Sequence, residues 1–168
     1  MRLLIIHRSF ALVGGAERVI IDKANYMSNH GHQVMLVSYE QGTHLVPFQL
    51  NPSVLLKDLD CRFFTLSRFP IPLRLYHFFH LKHQLRNALR ETFKDFQPDV
   101  VVLASDWQFL INVVLDAAQS IPVIAEFHNA YDFITKKIGN TGNGIIVKLT
   151  RFYYRHFLNQ FRKCAHLV

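Results

Sequence analysis

Two adjacent glycines, Gly14 and Gly15, stand where a short apolar run gives way to a segment with helical periodicity. The first N–H groups of a helix have no partner within it, and the helix dipole adds partial positive charge at that end. Because glycine has no side chain to cover the backbone, an anion can approach these groups closely. We therefore predict that Gly14, Gly15 and the neighbouring Glu17 form a phosphate- or hydroxyl-binding site. The alternative is that the glycines only permit a tight loop.

Three further polar residues follow two other apolar runs. Ser105 and Asp106 come after the run 100–104, and His128 comes after the run 122–127. Ligands of open α/β sheets bind outside the carboxyl ends of the strands, which is where these residues fall. Asp106 can alternatively cap the helix that begins at Trp107, and a lone histidine is most often structural. The G-x-S-x-G turn of a serine hydrolase is absent, so Ser105 is not predicted to be a nucleophile.

Short apolar runs alternate with longer helical patterns along the chain, which indicates βαβ units and an open parallel sheet. The predicted strands cover residues 3–6, 34–38, 54–56, 100–104, 122–127 and 165–168. The predicted helices run from Ala16 to about His30, from Pro72 to about Phe96, over 107–118 and over 145–163. The predicted fold class is therefore α/β, a Rossmann-like open parallel sheet flanked by helices. A length of 168 residues suffices for one such domain.

The chain is basic, with a net charge of +7, and residues 136–168 contain no Asp or Glu. Four cations, Lys82, Arg86, Arg90 and Lys94, recur every four residues along the long predicted helix. We predict that this cationic row contacts an anionic membrane surface or an acceptor. The alternative is a solvated helix face. Nucleic acid is not a predicted partner, because no base-reading motif accompanies the charge.

No apolar run approaches the roughly 18 residues of a membrane-spanning helix, so we predict a cytoplasmic location with peripheral contact at the inner face of the membrane. The two cysteines lie far apart and lack Cys/His ligand spacing, so neither a disulfide framework nor a zinc site is predicted. His77, His80 and His83 step by three, which drifts around a helix, and the HExxH pattern is absent. No metal site is therefore predicted.

The first apolar run, the glycine pair and the following Ala16-Glu17-Arg18 together resemble the N-terminal half of GT-B glycosyltransferases of family GT4. In that family such a loop faces the cleft between two domains. The resemblance covers essentially the whole chain, and its specific motif is short. It implies one acceptor-side domain over residues 1–168, with the C-terminal donor-binding domain absent from the chain. The run 162–168 resembles the opening of the last strand of such an N-terminal domain.

The resemblance implies that the whole enzyme transfers a sugar, with retention, from a nucleoside diphosphate sugar to a glycan or lipid-linked acceptor, as in cell-envelope polysaccharide synthesis. No further cofactor is implied. Gly14 and Gly15 would meet the donor phosphate or the attacking hydroxyl, and His128 would be the catalytic residue that orients the sugar. Many relatives carry Thr-x-His-Asp or Thr-x-His-Gly where Glu126 and Asn129 stand here. The half alone is expected to be inactive, because the E-x7-E carboxylates belong to the second domain.

Two alternatives to a glycosyltransferase half stay open from the sequence. The first is a stand-alone nucleotide- or dinucleotide-binding protein in which Glu40, after the second predicted strand, holds a ribose. The missing G-x-G-x-x-G spacing and the long loop 7–13 oppose it. The second is a basic module that docks on lipid or on a separate catalytic subunit.

Overall fold

The computed structural model describes residues 1–104, 110–126, 163–164 and 166–167. Its strands are β1 (Arg2–His7), β2 (Gln33–Ser38), β3 (Leu55–Asp58), β4 (Val100–Leu103), β5 (Val123–Ala125) and β6 (His166–Leu167). They form one sheet in the order β3-β2-β1-β4-β5-β6, in which every neighbouring pair is parallel. The predicted Rossmann-like parallel sheet is confirmed.

Within the described residues, three α-helices and one 3₁₀ helix lie between these strands. They are α1 (Gly15–Asn29), the 3₁₀ helix (Phe63–Arg68), α2 (Ile71–Phe96) and α3 (Ile111–Ala118). The helix α1 ends as predicted, with Gly31 at φ +81°, a left-handed conformation that favours glycine. Most of the predicted helix 145–163 lies outside the described residues.

The central strand β1 is buried on both faces, which explains its unbroken apolar sequence. Leu4 and Ile6 pack in one cluster with α2 and α3, whereas Leu3 and Ile5 pack in a second cluster with α1. Burying each such side chain contributes about 1.5–3 kcal/mol to folding. The carboxyl end of β1 is therefore a rigid platform between the two helical layers.

Several predicted boundaries differ from the structure. The third strand lies at Leu55–Asp58 rather than at 54–56, and the fifth is shorter than 122–127. Leu75, Phe78, Leu81 and Leu85 recur at helical spacing and predict a buried stripe along the long helix. Leu75 is nevertheless 57% exposed. The 26 residues of α2 extend far beyond the eight of α3, which at 1.5 Å per residue span only about 12 Å. The stripe is accordingly buried from Leu85 onward.

Candidate functional site

The candidate site lies at the carboxyl edge of the sheet, where β1, β2 and β4 end beside the beginning of α1. Such an edge, at a point where the strand order reverses, is the usual ligand position of open α/β sheets. A cavity of about 380 Å³ opens there. Its lining comprises His7, Arg8, Ser9, Leu12, Ala16, Glu17, Glu40, His44 and Phe64. Of the predicted segment, Glu17 lines this cavity, whereas Gly14 and Gly15 are not among its lining residues.

The first turn of α1 has no side-chain cap. Gly14 is the N-cap residue, in an extended conformation with φ −121° and ψ 164°, and no side chain bonds to the helix start. A Cβ added to Gly15 would meet no atom within 4 Å. The backbone at Gly15 is thus open to solvent, as the anion-binding prediction requires.

Glu17 folds back over Gly14. A Cβ added to Gly14 would lie 3.2 Å from Glu17 Cδ and still closer to Glu17 Oε2. Glu17 is only 8% exposed, so its carboxylate lies within the site rather than in solvent. The Glu17 carboxylate thus occupies the space that a side chain at Gly14 would need, whereas the space beside Gly15 is open to a ligand.

His7, which is not among the predicted site residues, connects three elements of the site. Its Nδ1 is hydrogen bonded to the carbonyl oxygen of Ala104 at the end of β4, and its Nε2 lies 3.3 Å from Glu17 Oε1 on α1. His7 is 7% exposed. Both ring nitrogens therefore face oxygen atoms, which can only accept hydrogen bonds. The signal available in the sequence was a histidine ending the first strand.

Arg8 and Glu40 form an ion pair at the other side of the cavity. Arg8 Nε donates to Glu40 Oε2, and the N–H of Phe64 donates to Glu40 Oε1 at 3.0 Å. The Glu40 side chain is 3% exposed. Because both carboxylate oxygens are engaged by the protein and withdrawn from solvent, this geometry opposes the dinucleotide alternative, in which Glu40 would hold a ribose.

Gln41 and Asp58 organise the loops around the cavity. Gln41 Oε1 accepts from the N–H of Phe10 at 2.6 Å and from Ser9 Oγ at 3.0 Å, and Gln41 Nε2 donates to the carbonyl of His44 at 2.7 Å. Asp58 accepts from Ser38 Oγ and from the N–H groups of Gln41 and Gly42. The Gln41 bonds hold the loop after β1, and the Asp58 bonds hold the loop after β2.

Three predicted site residues, Ser105, Asp106 and His128, lie outside the described residues. The described neighbour of His128 is Glu126, whose carboxylate forms an ion pair with Lys23 of α1. Glu126 therefore contributes to holding the end of β5 against α1. Within the described ranges, no three His, Cys, Asp or Glu side chains are grouped as a metal ion would require.

The predicted cationic row of α2 does not form one free face. Arg86 Nε and Arg90 Nη2 lie 2.8 and 3.4 Å from Asp116 Oδ2 on α3. The Lys82 ammonium lies 5.6 Å from the centre of the Phe78 ring, and burial, together with Arg86, lowers the Lys82 pKa. Neither these residues nor Lys94 line the cavity. The Asp116 carboxylate thus partly neutralises Arg86 and Arg90 in the middle of the row.

Comparison with known families identifies the class of this domain. The model of glycosyltransferase family 4 matches residues 13–168. The chain therefore belongs to glycosyltransferase family 4, as its glycine-pair motif indicated. No curated protein matches the chain.

Proposed function

We propose that this domain is the acceptor-side half of a retaining glycosyltransferase that uses a nucleoside diphosphate sugar. Family membership carries the glycosyltransferase class, since the match covers residues 13–168. The open backbone at Gly15 supports the finer proposal, because it leaves room for a phosphate or an attacking hydroxyl at the positive end of α1. The proposed acceptor is a glycan or a lipid-linked glycan.

The polar groups of the cavity suit a hydroxylated acceptor. The Glu17 carboxylate can accept hydrogen bonds, and Ser9 and His44 can both donate and accept them. Arg8 contributes a positive charge. Phe64, 46% exposed, offers an apolar face beside them. Sugars combine hydroxyls with apolar ring faces, so this mixture fits a glycan better than a purely apolar ligand.

The proposed division of labour assigns the nucleotide to a second domain and the sugar contact to His128. Charge that develops on the leaving diphosphate must be met by fixed donors, and the N-terminus of α1 supplies some of them. His128 remains a prediction from the family resemblance, and its replacement by Ala is expected to lower kcat more than it weakens nucleotide binding.

The test compares sugar transfer by the intact enzyme and its Gly15→Val variant. A Cβ at Gly15 would meet no atom within 4 Å, and the branched side chain of valine is expected to cover the N–H groups that the ligand must approach. We expect kcat/KM to fall by about 10² or more, the usual loss for a removed oxyanion donor. Val19→Ala, on the same helix and 51% exposed, is the matched control. A well-folded Gly15→Val enzyme with wild-type kcat/KM would contradict the proposal.

A binding experiment separates the proposed function from the dinucleotide alternative. We expect no micromolar binding of NAD or NADP to this chain, because Glu40 is committed to Arg8 and Phe64. Saturable micromolar binding of NAD that is lost in Glu40→Gln would favour the alternative.

A further inference from the structure

The first turns of α2 expose several large apolar side chains. All six residues from Ile71 to Tyr76 are exposed. We define the α2 apolar patch as the large apolar residues of this helix end that are at least two fifths exposed. They are Ile71 (78%), Leu73 (43%), Leu75 (57%), Tyr76 (66%) and Phe79 (61%). Single exposed apolar residues are ordinary, but five within nine residues of one helix mark an interaction surface.

The chain around the patch carries positive charge only. Residues 61–90 contain six Lys or Arg and no Asp or Glu. Three of the six have carboxylate partners from outside this range, as Arg62 pairs with Asp60 and both Arg86 and Arg90 pair with Asp116. The other three, which form no ion pair with any described carboxylate, are Arg68, Arg74 and Lys82.

These three cations lie before, within and after the α2 apolar patch. Arg68 ends the 3₁₀ helix just before it, and Lys82 follows Phe79 by one turn. Arg74 lies inside it, and its guanidinium donates to the carbonyl oxygens of Ser67 and Phe69 at 3.1–3.4 Å. These bonds stabilise the connection between the two helices while the charge of Arg74 is retained. Exposed apolar side chains with cations beside them complement a surface that has an apolar interior beneath an anionic outer layer.

We propose that the α2 apolar patch docks on an anionic lipid bilayer. A helix end exposed all round is convex, so it suits insertion between lipids better than a grooved protein partner, whose groove would receive only one face of a helix. No described helix is long and apolar enough to cross a bilayer, so the contact is peripheral. This surface replaces the cationic row as the membrane contact, since Arg86 and Arg90 pair with α3. The proposal does not depend on sugar transfer.

The test is co-sedimentation of the intact protein with vesicles of phosphatidylcholine, alone or with about one third phosphatidylglycerol. We expect binding to the anionic vesicles only, with strong weakening at about 1 M salt, where charges are screened within about 3 Å. Each basic residue near such a surface strengthens binding about fivefold. Changing Arg68, Arg74 and Lys82 to Gln is therefore expected to weaken binding by roughly 100-fold.

A charge-matched pair of variants separates insertion of the patch from simple attraction. Leu75→Glu/Phe79→Glu and the control Val19→Glu/Tyr26→Glu each add two carboxylates at comparably exposed sites. We expect the patch variant to lose binding at least tenfold more than the control, with circular dichroism and Tm showing both folded. Equal losses of vesicle binding in the two double variants would overturn the proposal, as would wild-type binding that is the same on neutral and anionic vesicles. So would concentration-dependent dimerisation through the patch without vesicle binding.

Discussion

Replacing Gly14 by Ala should displace the Glu17 carboxylate and uncouple it from His7. The backbone at Gly14 suits any residue, so the cost does not come from strain. Loss of Gly at the N-cap costs about 1 kcal/mol. The new Cβ would also meet the Glu17 carboxylate. Moving that carboxylate leaves His7 Nε2 without its hydrogen-bond acceptor, which lowers the free energy of unfolding by a further ~1–2 kcal/mol. The expected total is about 2–3 kcal/mol, or roughly 4–12 °C in Tm for a chain of this length.

A double-mutant cycle with Glu17→Ala isolates the contact, measured as free energies of unfolding in urea. Without the carboxylate, Gly14→Ala should cost only the N-cap loss of about 1 kcal/mol, so the coupling energy is about 1–2 kcal/mol. Gly15→Ala is the internal control, because its side chain meets nothing, and it should change stability by less than about 0.5 kcal/mol. Equal costs of Gly14→Ala in both backgrounds would refute the reasoning.

Two further predictions concern other buried groups. Glu40→Ala should lower the free energy of unfolding by about 2–3 kcal/mol, because Arg8 and the Phe64 N–H lose the carboxylate to which both donate. Glu40→Gln should cost less, and urea titrations of the two variants measure the difference. Burial, with the nearby Asp58 and Asp60 charges, raises the pKa of the Cys61 thiol from 9.0 to about 12. The folded thiol keeps its proton when the unfolded one has lost it, so Cys61 should lower the free energy of unfolding as the pH rises above about 9, measured against Cys61→Ala. The thiol should also resist alkylation at pH 8 until the protein unfolds, as followed by mass spectrometry.

The central strands β1 and β4 were predictable because they are almost wholly buried, so their sequences are continuous apolar runs that can be recognised locally. The carboxyl-edge position of the glycine pair was likewise readable, since strand, glycines and helix are adjacent in sequence. The partners of Glu17 were not, because His7 lies ten residues earlier and the contact depends on how α1 packs on β1. Glu40 was similarly ambiguous: a carboxylate after β2 has the same local pattern whether it binds a ribose or Arg8.

The exposed beginning of α2 was missed for a related reason. The pattern of Leu75, Phe78, Leu81 and Leu85 continues without interruption, so periodicity predicts one buried stripe along the whole helix. Burial also requires a neighbouring element, and α3 is too short to supply one along the first turns. Sequence periodicity therefore predicted which face is apolar but not how far along the helix that face is covered.

The bond from the Phe64 N–H to Glu40 has a mechanical consequence. Phe64 lines the cavity and belongs to the 3₁₀ helix, which leads through Phe69 and Pro70 directly into α2. The buried Glu40 carboxylate thus ties the rim of the cavity to the base of the protruding helix. If that helix rests on a lipid surface, the cavity mouth is held at a set height and tilt above it. An acceptor anchored in the same leaflet would then search for the cavity in two dimensions rather than three.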